Sequence, residues 1–306
     1  MNELLNQRYS DRRPDRNLPF WKRQESNPQT LAAQQAQGNE RRQLFESLLG
    51  ADAKPYALID PTDRERRYGS LSDDKLDAAA KIERDYEEVS GQAMAARHSN
   101  LVTGWDNVLQ QQQMLETEKL KDLAGVLSPD ELAQYEMRNS RSASALMNKL
   151  RNVDVTGEEY AALYQAQKSS DATPFPLGPA MTQDTVAQWR AAQQALHDQF
   201  QQVLGEDRFY KYMEGSDAGY AMVTQFAAGY PQITPAVSYK VYQLQNELQN
   251  ALMQFSRNRS SGTASPPDVA GYNARLDSLL GPEAAAAYRK QRQGSIFALP
   301  ANPGGK

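Results

Sequence analysis

Two histidines and no cysteine make up the nitrogen and sulfur inventory available for metal binding or nucleophilic catalysis in this chain of 306 residues. Neither His98 nor His197 has a second histidine at metal-ligand spacing. Without a thiol there is no thiolate ligand, disulfide or cysteine nucleophile. His197 falls beside Asp198 on the polar side of a helical pattern and reads as a solvated helix-face residue. His98, in Ala95-Ala96-Arg97-His98-Ser99-Asn100, sits near a helix end, where its cation suits the negative pole of the dipole. Gly215-Ser216-Asp217-Ala218-Gly219 places a serine among glycines but lacks the Gly-x-Ser-x-Gly spacing of a nucleophile elbow. Ser216 reads instead as the cap of a helix holding Tyr220, Val223 and Phe226. No phosphate loop, dinucleotide fingerprint or EF-hand pattern is present. The carboxylates Glu83, Asp85, Glu87 and Glu88 read as a solvated face. The expectation is therefore no catalytic residue, no metal and no cofactor.

The residues that point to binding lie in the first 36, rich in Arg, Asn, Gln and Pro. Residues 1–42 carry Arg8, Arg12, Arg13, Arg16, Lys22, Arg23, Arg41 and Arg42 against five acids. Such a stretch is either a solvated linker or a contact for lipid head groups or nucleic acid. Phe20 and Trp21 add large aromatics to it, and aromatics in an arm dock onto something. Phe20, Trp21, Arg12, Arg13 and Arg16 are the candidate partner contacts. Phe20 and Trp21 are expected to bind this protein's own body or a partner.

Composition bounds the rest. Hydrophobic residues are 40% of the chain, enough to bury a core, and no apolar run is long enough to span a bilayer. The net charge of −4 argues against a general nucleic-acid surface. The first thirty residues lack an apolar signal core, which leaves a cytoplasmic location or one reached through a targeting segment not carried here. Isoleucine occurs only four times, while alanine, leucine and glutamine dominate. Those side chains lose little rotamer freedom in a helix, and no long apolar–polar alternation suggests a strand. The predicted fold is all-α.

One corner recurs four times: two apolar residues, a small residue, an acid and a tyrosine. It reads Leu48-Leu49-Gly50 with Asp52 and Tyr56, then Val126-Leu127-Ser128 with Asp130, Glu131 and Tyr135. It returns as Val203-Leu204-Gly205 with Glu206, Asp207 and Tyr212, and as Leu279-Leu280-Gly281 with Glu283 and Tyr288. The second leucines are 78, 77 and 76 residues apart, and the leucine-to-tyrosine offsets are 7, 8, 8 and 8. That phase predicts a helical repeat of about 77 residues, three full units plus a half. Each corner reads as a helix–turn–helix, with Gly50, Gly205 and Gly281 free to end a helix and Ser128-Pro129-Asp130-Glu131 as a capping box. A second shared element is Thr156-Gly157-Glu158-Glu159 leading to Tyr164, Gln165 and Gln167. Its counterpart is Thr234-Pro235 leading to Tyr242, Gln243 and Gln245, and Leu71-Ser72 leading to Ile82 and Tyr86 is a partial equivalent. Apolar stripes at Val186, Trp189, Leu196, Phe200 and Val203, at Val237, Val241, Leu244, Leu248, Leu252 and Phe255, and at Trp105, Val108, Leu115, Leu123 and Leu127 read as core faces of long helices.

The predicted organisation is a flexible arm (1–36), a first helical repeat region (37–168), a Pro-rich linker (169–180), a second repeat region (181–255), a Ser/Gly/Pro linker (256–268), a C-terminal half-repeat (269–298) and a tail (299–306). An extended solenoid and a folded-back bundle both suit it, and oligomeric state is left open.

The stretch Leu127-Ser128-Pro129-Asp130-Glu131-Leu132 through Tyr135-Glu136-Met137-Arg138-Asn139-Ser140 resembles a group of bacterial all-helical proteins of unassigned function. In them a leucine–leucine–Ser/Thr-Pro-Glu corner leads to a Tyr-Glu-x-Arg-Asn-Ser segment. Arg67-Tyr68-Gly69 with Leu71, and the Thr156–Gln167 helix, look like the same group. The likeness covers residues 40–170 and implies an envelope or periplasmic location, with no activity and no catalytic residues to carry over. Periplasmic stress proteins and chaperones with a Leu-Thr-x-x-Gln corner are a further analogy, although no glutamine stands at the matching place here.

The phased corners and the poor catalytic inventory together point to a non-enzymatic helical protein that binds or scaffolds another protein, as an adaptor or chaperone-like client binder. The alternatives are a carboxylate-based hydrolase or lyase, and a membrane-surface or nucleic-acid binder acting through the basic arm.

Overall fold

The computed structural model describes residues 18–22, six positions between 32 and 47, and residues 61–98, 105–173, 175–176, 182–258 and 266–292. Among the described residues every regular element is a helix and none is a strand. The helices are α1 (Pro61–Tyr68), α2 (Asp73–His98), α3 (Trp105–Ala124), α4 (Pro129–Asn139), α5 (Arg141–Lys149), α6 (Gly157–Asp171), α7 (Gln183–Ser216), α8 (Ala218–Ala227), α9 (Pro235–Asn258), α10 (Val269–Leu280) and α11 (Pro282–Arg292). None of these is long and apolar enough to cross a membrane. The chain divides into two compact units, Met1–Asn148 and Lys149–Lys306.

In the first unit α2 pairs with α3, and α4 packs against both α1 and α3. Their shared core is Tyr68, Leu76, Ala79, Ala80, Leu123, Leu127 and Tyr135, all buried. Leu76 and Leu123 are fully enclosed, each stabilising the unit by about 1.5–3 kcal/mol relative to exposure. The turn into α4 has the expected chemistry. Ser128 accepts from the Glu131 backbone N–H, the Glu131 carboxylate accepts from the Ser128 N–H at 2.8 Å, and Pro129 opens the helix.

In the second unit helices pack mainly on their chain neighbours: α6 on α7, α8 on α9, α9 on α10, α10 on α11. Thr156 caps α6 through a capping box with Glu159, and Thr182 caps α7 with Thr185. The stripes on α7 and α9 are buried at Val186, Leu196 and Phe200, and at Val241, Leu244 and Leu248.

Three corners fall within the described residues and share one local build. Gly205 breaks α7 at φ 71°, ψ 167°, and Gly281 separates α10 from α11 at φ 79°, ψ 157°. This backbone region is open essentially only to glycine. Ser128 reaches the same extended ψ, 163°, from the ordinary side, at φ −66°. In each corner the leucine (Leu127, Leu204, Leu280) is buried, and so is the tyrosine eight residues on: Tyr135 at 3% exposure, Tyr212 at 2%, Tyr288 at 1%. The Leu48–Tyr56 corner lies outside the described residues.

Several expectations are corrected. α6 continues through Ser169 and Ser170 to Asp171, and α9 continues to Asn258, so helix extends into both segments read as linkers. The proline-rich segment joins two helices that pack on each other within one unit, which keeps the chain compact there. Within the arm, Leu18–Lys22 forms a turn, and Ala32 and Ala36 are helical. Ser216 ends α7, and the cap of α8 is its neighbour Asp217, whose carboxylate accepts from the Tyr220 N–H at 2.9 Å.

Candidate functional site

Acid–base chemistry would need a carboxylate with a shaped surrounding, and the chain builds one such surrounding at Glu83. This residue was expected on a solvated face; it is instead buried at 7% exposure. Its helix α2 turns it inward between α1 and α4. Glu83 Oε1 accepts from the Tyr135 hydroxyl, and Oε2 accepts from the Tyr68 hydroxyl and from Arg67 Nη2 at 3.0 Å. Asn139 Nδ2 donates to the carbonyls of Tyr135 and, at 2.6 Å, Arg67, tying α4 to the end of α1. Burial, then the Glu83 charge, pushes both tyrosine hydroxyls far above their ordinary value. Both carboxylate oxygens are engaged and the group is closed to water, so this node holds three helices together and has no face for a substrate. Asp85, Glu87 and Glu88 on the same helix are exposed, as expected.

The same helix position recurs. Glu83, Gln167 and Gln245 each stand eleven residues after Ser72, Thr156 and Thr234, and all three are buried polar side chains. With its amide oriented to satisfy both ends, Gln245 donates to the Tyr288 hydroxyl at 2.9 Å and accepts from Arg292 Nε at 3.2 Å. Gln167 differs: its oxygen accepts from Lys149 Nζ at 3.0 Å and its nitrogen donates to Asp171 at 2.8 Å. Burial lowers the Lys149 pKa, with Asp171 opposing. The glutamine positions were visible in the sequence; their burial, and the bond of Gln245 to the corner tyrosine Tyr288, were not.

His197 was expected in solvent. Its ring is half-buried, 6.3 Å from Phe209 between centroids, and burial lowers its pKa. Among the described residues no cluster of three or more histidines or acids is gathered as a metal site requires.

Among the described residues, an open concave feature of the second unit is a cleft of about 540 Å³ between the last turns of α7, the α8 helix and the start of α9. That volume lies within the range of small-ligand and peptide pockets. Tyr210 and Tyr220 stack along it at 6.5 Å, and Ile233 and Thr224 line it, with Asp207, Lys211 and Glu214 exposed at its rim. The wall continues into a cluster of rings. Tyr239 meets Tyr210 at 5.8 Å, Tyr220 at 5.9 Å and Phe209 at 5.3 Å. Two of the hydroxyls are satisfied from within: Tyr220 donates to the Pro235 carbonyl at 3.2 Å and Tyr242 to Asp217 at 2.7 Å. Burial first, with nearby acids second or later, raises the Tyr210 and Tyr242 pKa values. These hydroxyls are therefore neutral at neutral pH, and of these rings Tyr210 is the one partly exposed, with Tyr220, Tyr239 and Tyr242 buried behind it.

Of the residues predicted to contact a partner, Phe20 lies against Arg66 and Arg138 of the first unit, and Trp21 packs edge to face on Phe20. Arg12, Arg13 and Arg16 lie outside the described residues. Sequence reasoning missed the cleft, because its lining comes from three helices and no local pattern shows that they meet.

No protein-family model, curated protein or solved structure matches this chain.

Proposed function

We propose that this protein is a non-enzymatic helical binder of another protein, an adaptor or chaperone-like scaffold, and that the tyrosine-walled cleft of the second unit receives the client segment. The supporting observation is that cleft: a concave wall that presents the half-buried Tyr210 ring in front of the buried rings of Tyr220 and Tyr239. Such a wall offers contact area at little conformational cost and accepts varied apolar side chains. The rim carries Asp207, Lys211 and Glu214, both signs of charge, so contact area rather than net charge is what it offers a client segment. The resemblance of the Leu127–Ser140 stretch supports an envelope location for this activity.

Affinity capture of the full chain from its native cells, with envelope and soluble fractions kept apart, tests the reading. A stoichiometric partner is expected with the native chain, and Tyr210→Ala, at the half-buried edge of the cleft, should lower its recovery about tenfold. A reproducible turnover abolished by one point substitution, or a partner retained in full by Tyr210→Ala, would defeat it.

A further inference from the structure

In the first unit a short aromatic turn near the start of the chain lies against two helices. Pro19–Lys22 forms a four-residue turn closed by the Lys22 N–H donating to the Pro19 carbonyl at 3.0 Å. Phe20 and Trp21 project from its centre with their rings edge to face at 5.0 Å. Two arginines from two helices receive it. Arg66, in the last turn of α1, donates through Nη2 to the Phe20 carbonyl at 3.0 Å and also to the Lys22 carbonyl. Arg138, near the end of α4, lies over the Phe20 ring with its guanidinium carbon 4.2 Å from the centroid. One arginine reads backbone and the other reads an aromatic face.

The Arg138 side of this contact is oriented by bonds within the first unit. Arg138 Nη1 donates to both the carbonyl and the side-chain oxygen of Gln134, each at 2.8 Å, which sets the plane of the guanidinium. Gly69 leaves room behind it: a Cβ there would stand 3.3 Å from the Arg138 guanidinium carbon. Asn139 holds α1 to α4 at the same end. A planar cation fixed in this way suits a π face, and a lysine could not reproduce it.

We propose that the α1–α4 seat is a specific recognition site for a short aromatic turn, and that Leu18–Lys22 is its resident ligand, bound in cis. The site reads one aromatic ring and two turn carbonyls. The N-terminal segment is thereby anchored to the first unit, and any competing ligand must present the same aromatic turn. This proposal concerns the first unit alone and does not rest on the cleft.

The test uses the full chain labelled with 5-fluorotryptophan, which gives one fluorine signal for each of Trp21, Trp105 and Trp189; Trp21→Phe assigns the first. The Trp21 signal is expected away from the free-peptide position and should move to it in Arg66→Ala and Arg138→Ala while helical circular dichroism is unchanged. A fluorescent peptide spanning Asp15–Glu25 should bind saturably to the full chain carrying Phe20→Ala and Trp21→Ala. Its affinity for the native chain should be about tenfold lower or less, because the tethered segment competes at high effective concentration. Adding Arg138→Ala to the emptied chain should again lower binding about tenfold. Since Phe20→Ala and Trp21→Ala alter only the ligand, they keep the test valid if an arginine variant misfolds. A Trp21 signal already at the free-peptide position in the native chain, or no peptide binding to the emptied seat, overturns the proposal. A concentration-dependent dimer in sedimentation that Phe20→Ala abolishes overturns the cis assignment and gives the seat to the segment of a second copy.

Discussion

Glu83 shows how one buried carboxylate organises three helices. It serves two tyrosine hydroxyls and one arginine, so removing it strands the hydroxyls rather than deleting a single bond. Glu83→Ala is expected to destabilise the first unit by about 2–3 kcal/mol, the cost of buried donors left without an acceptor. Glu83→Gln should cost clearly less, since an amide oxygen can still accept; glutamine is what stands at the equivalent positions 167 and 245. Urea denaturation followed by circular dichroism measures both variants. Equal losses would mean that the negative charge and its pairing with Arg67, rather than the hydrogen bonds, dominate the node. The exposed carboxylates are of another kind: Glu131, held near 2 by Lys75 and then by the Ser128 N–H, acts in a surface corner.

At the scale of elements the corners are set by backbone conformation. At Gly205 and Gly281 nothing lies within 4 Å of where a Cβ would stand, so an alanine there meets conformational strain and no clash. Gly205→Ala and Gly281→Ala are each expected to cost about 1–3 kcal/mol. Gly91 is the control. It is exposed inside α2 with open space around it, and Gly91→Ala should stabilise by about 0.5–1 kcal/mol. Thermal melts of the three variants decide the matter, and a neutral Gly205→Ala would show that the corner relaxes to another turn. Ion pairs reinforce these corners from outside. Arg208, just past Gly205, reaches Glu159 of the α6 capping box at 2.7 Å and the Leu204 carbonyl at 2.8 Å, joining two turns of the second unit.

At the scale of the whole molecule, each unit has its own core, and the second is built on buried tyrosine. Burial pushes the Tyr212 and Tyr288 hydroxyls up to about 12 from an ordinary 10.0. Tyr220, Tyr242 and Tyr272 move in the same direction, also chiefly through burial. A raised folded-state value means the native state holds protons that the unfolded chain releases. The stability contributed is whole below pH 10 and is lost as pH rises through about 12. Absorbance at the phenolate band should therefore climb together with loss of helix in that interval. Phenolate formation complete near pH 10.5 with helix intact would contradict the burial of these rings. Tyr288→Phe should shift the transition upward by removing one of the ionising groups.

What the sequence alone determined about this protein is what a few neighbouring residues decide. The helical class follows from side chains that keep their rotamer freedom in a helix. The Ser128 and Thr156 capping boxes and the glycine corners follow from turn chemistry, and the apolar stripes from the helical period. The tertiary structure decided everything that joins distant residues. Glu83 looked solvated because its immediate neighbours are charged, and it is buried because Tyr135, 52 residues away, closes over it. Phe20 and Trp21 invited a docking reading by their chemistry, while the contacts of Phe20 come from Arg66, 46 residues on, and from Arg138 beyond it. The cleft was hidden for the same reason, since helical periodicity tells which face of a helix is apolar but not which faces meet and where they leave a gap.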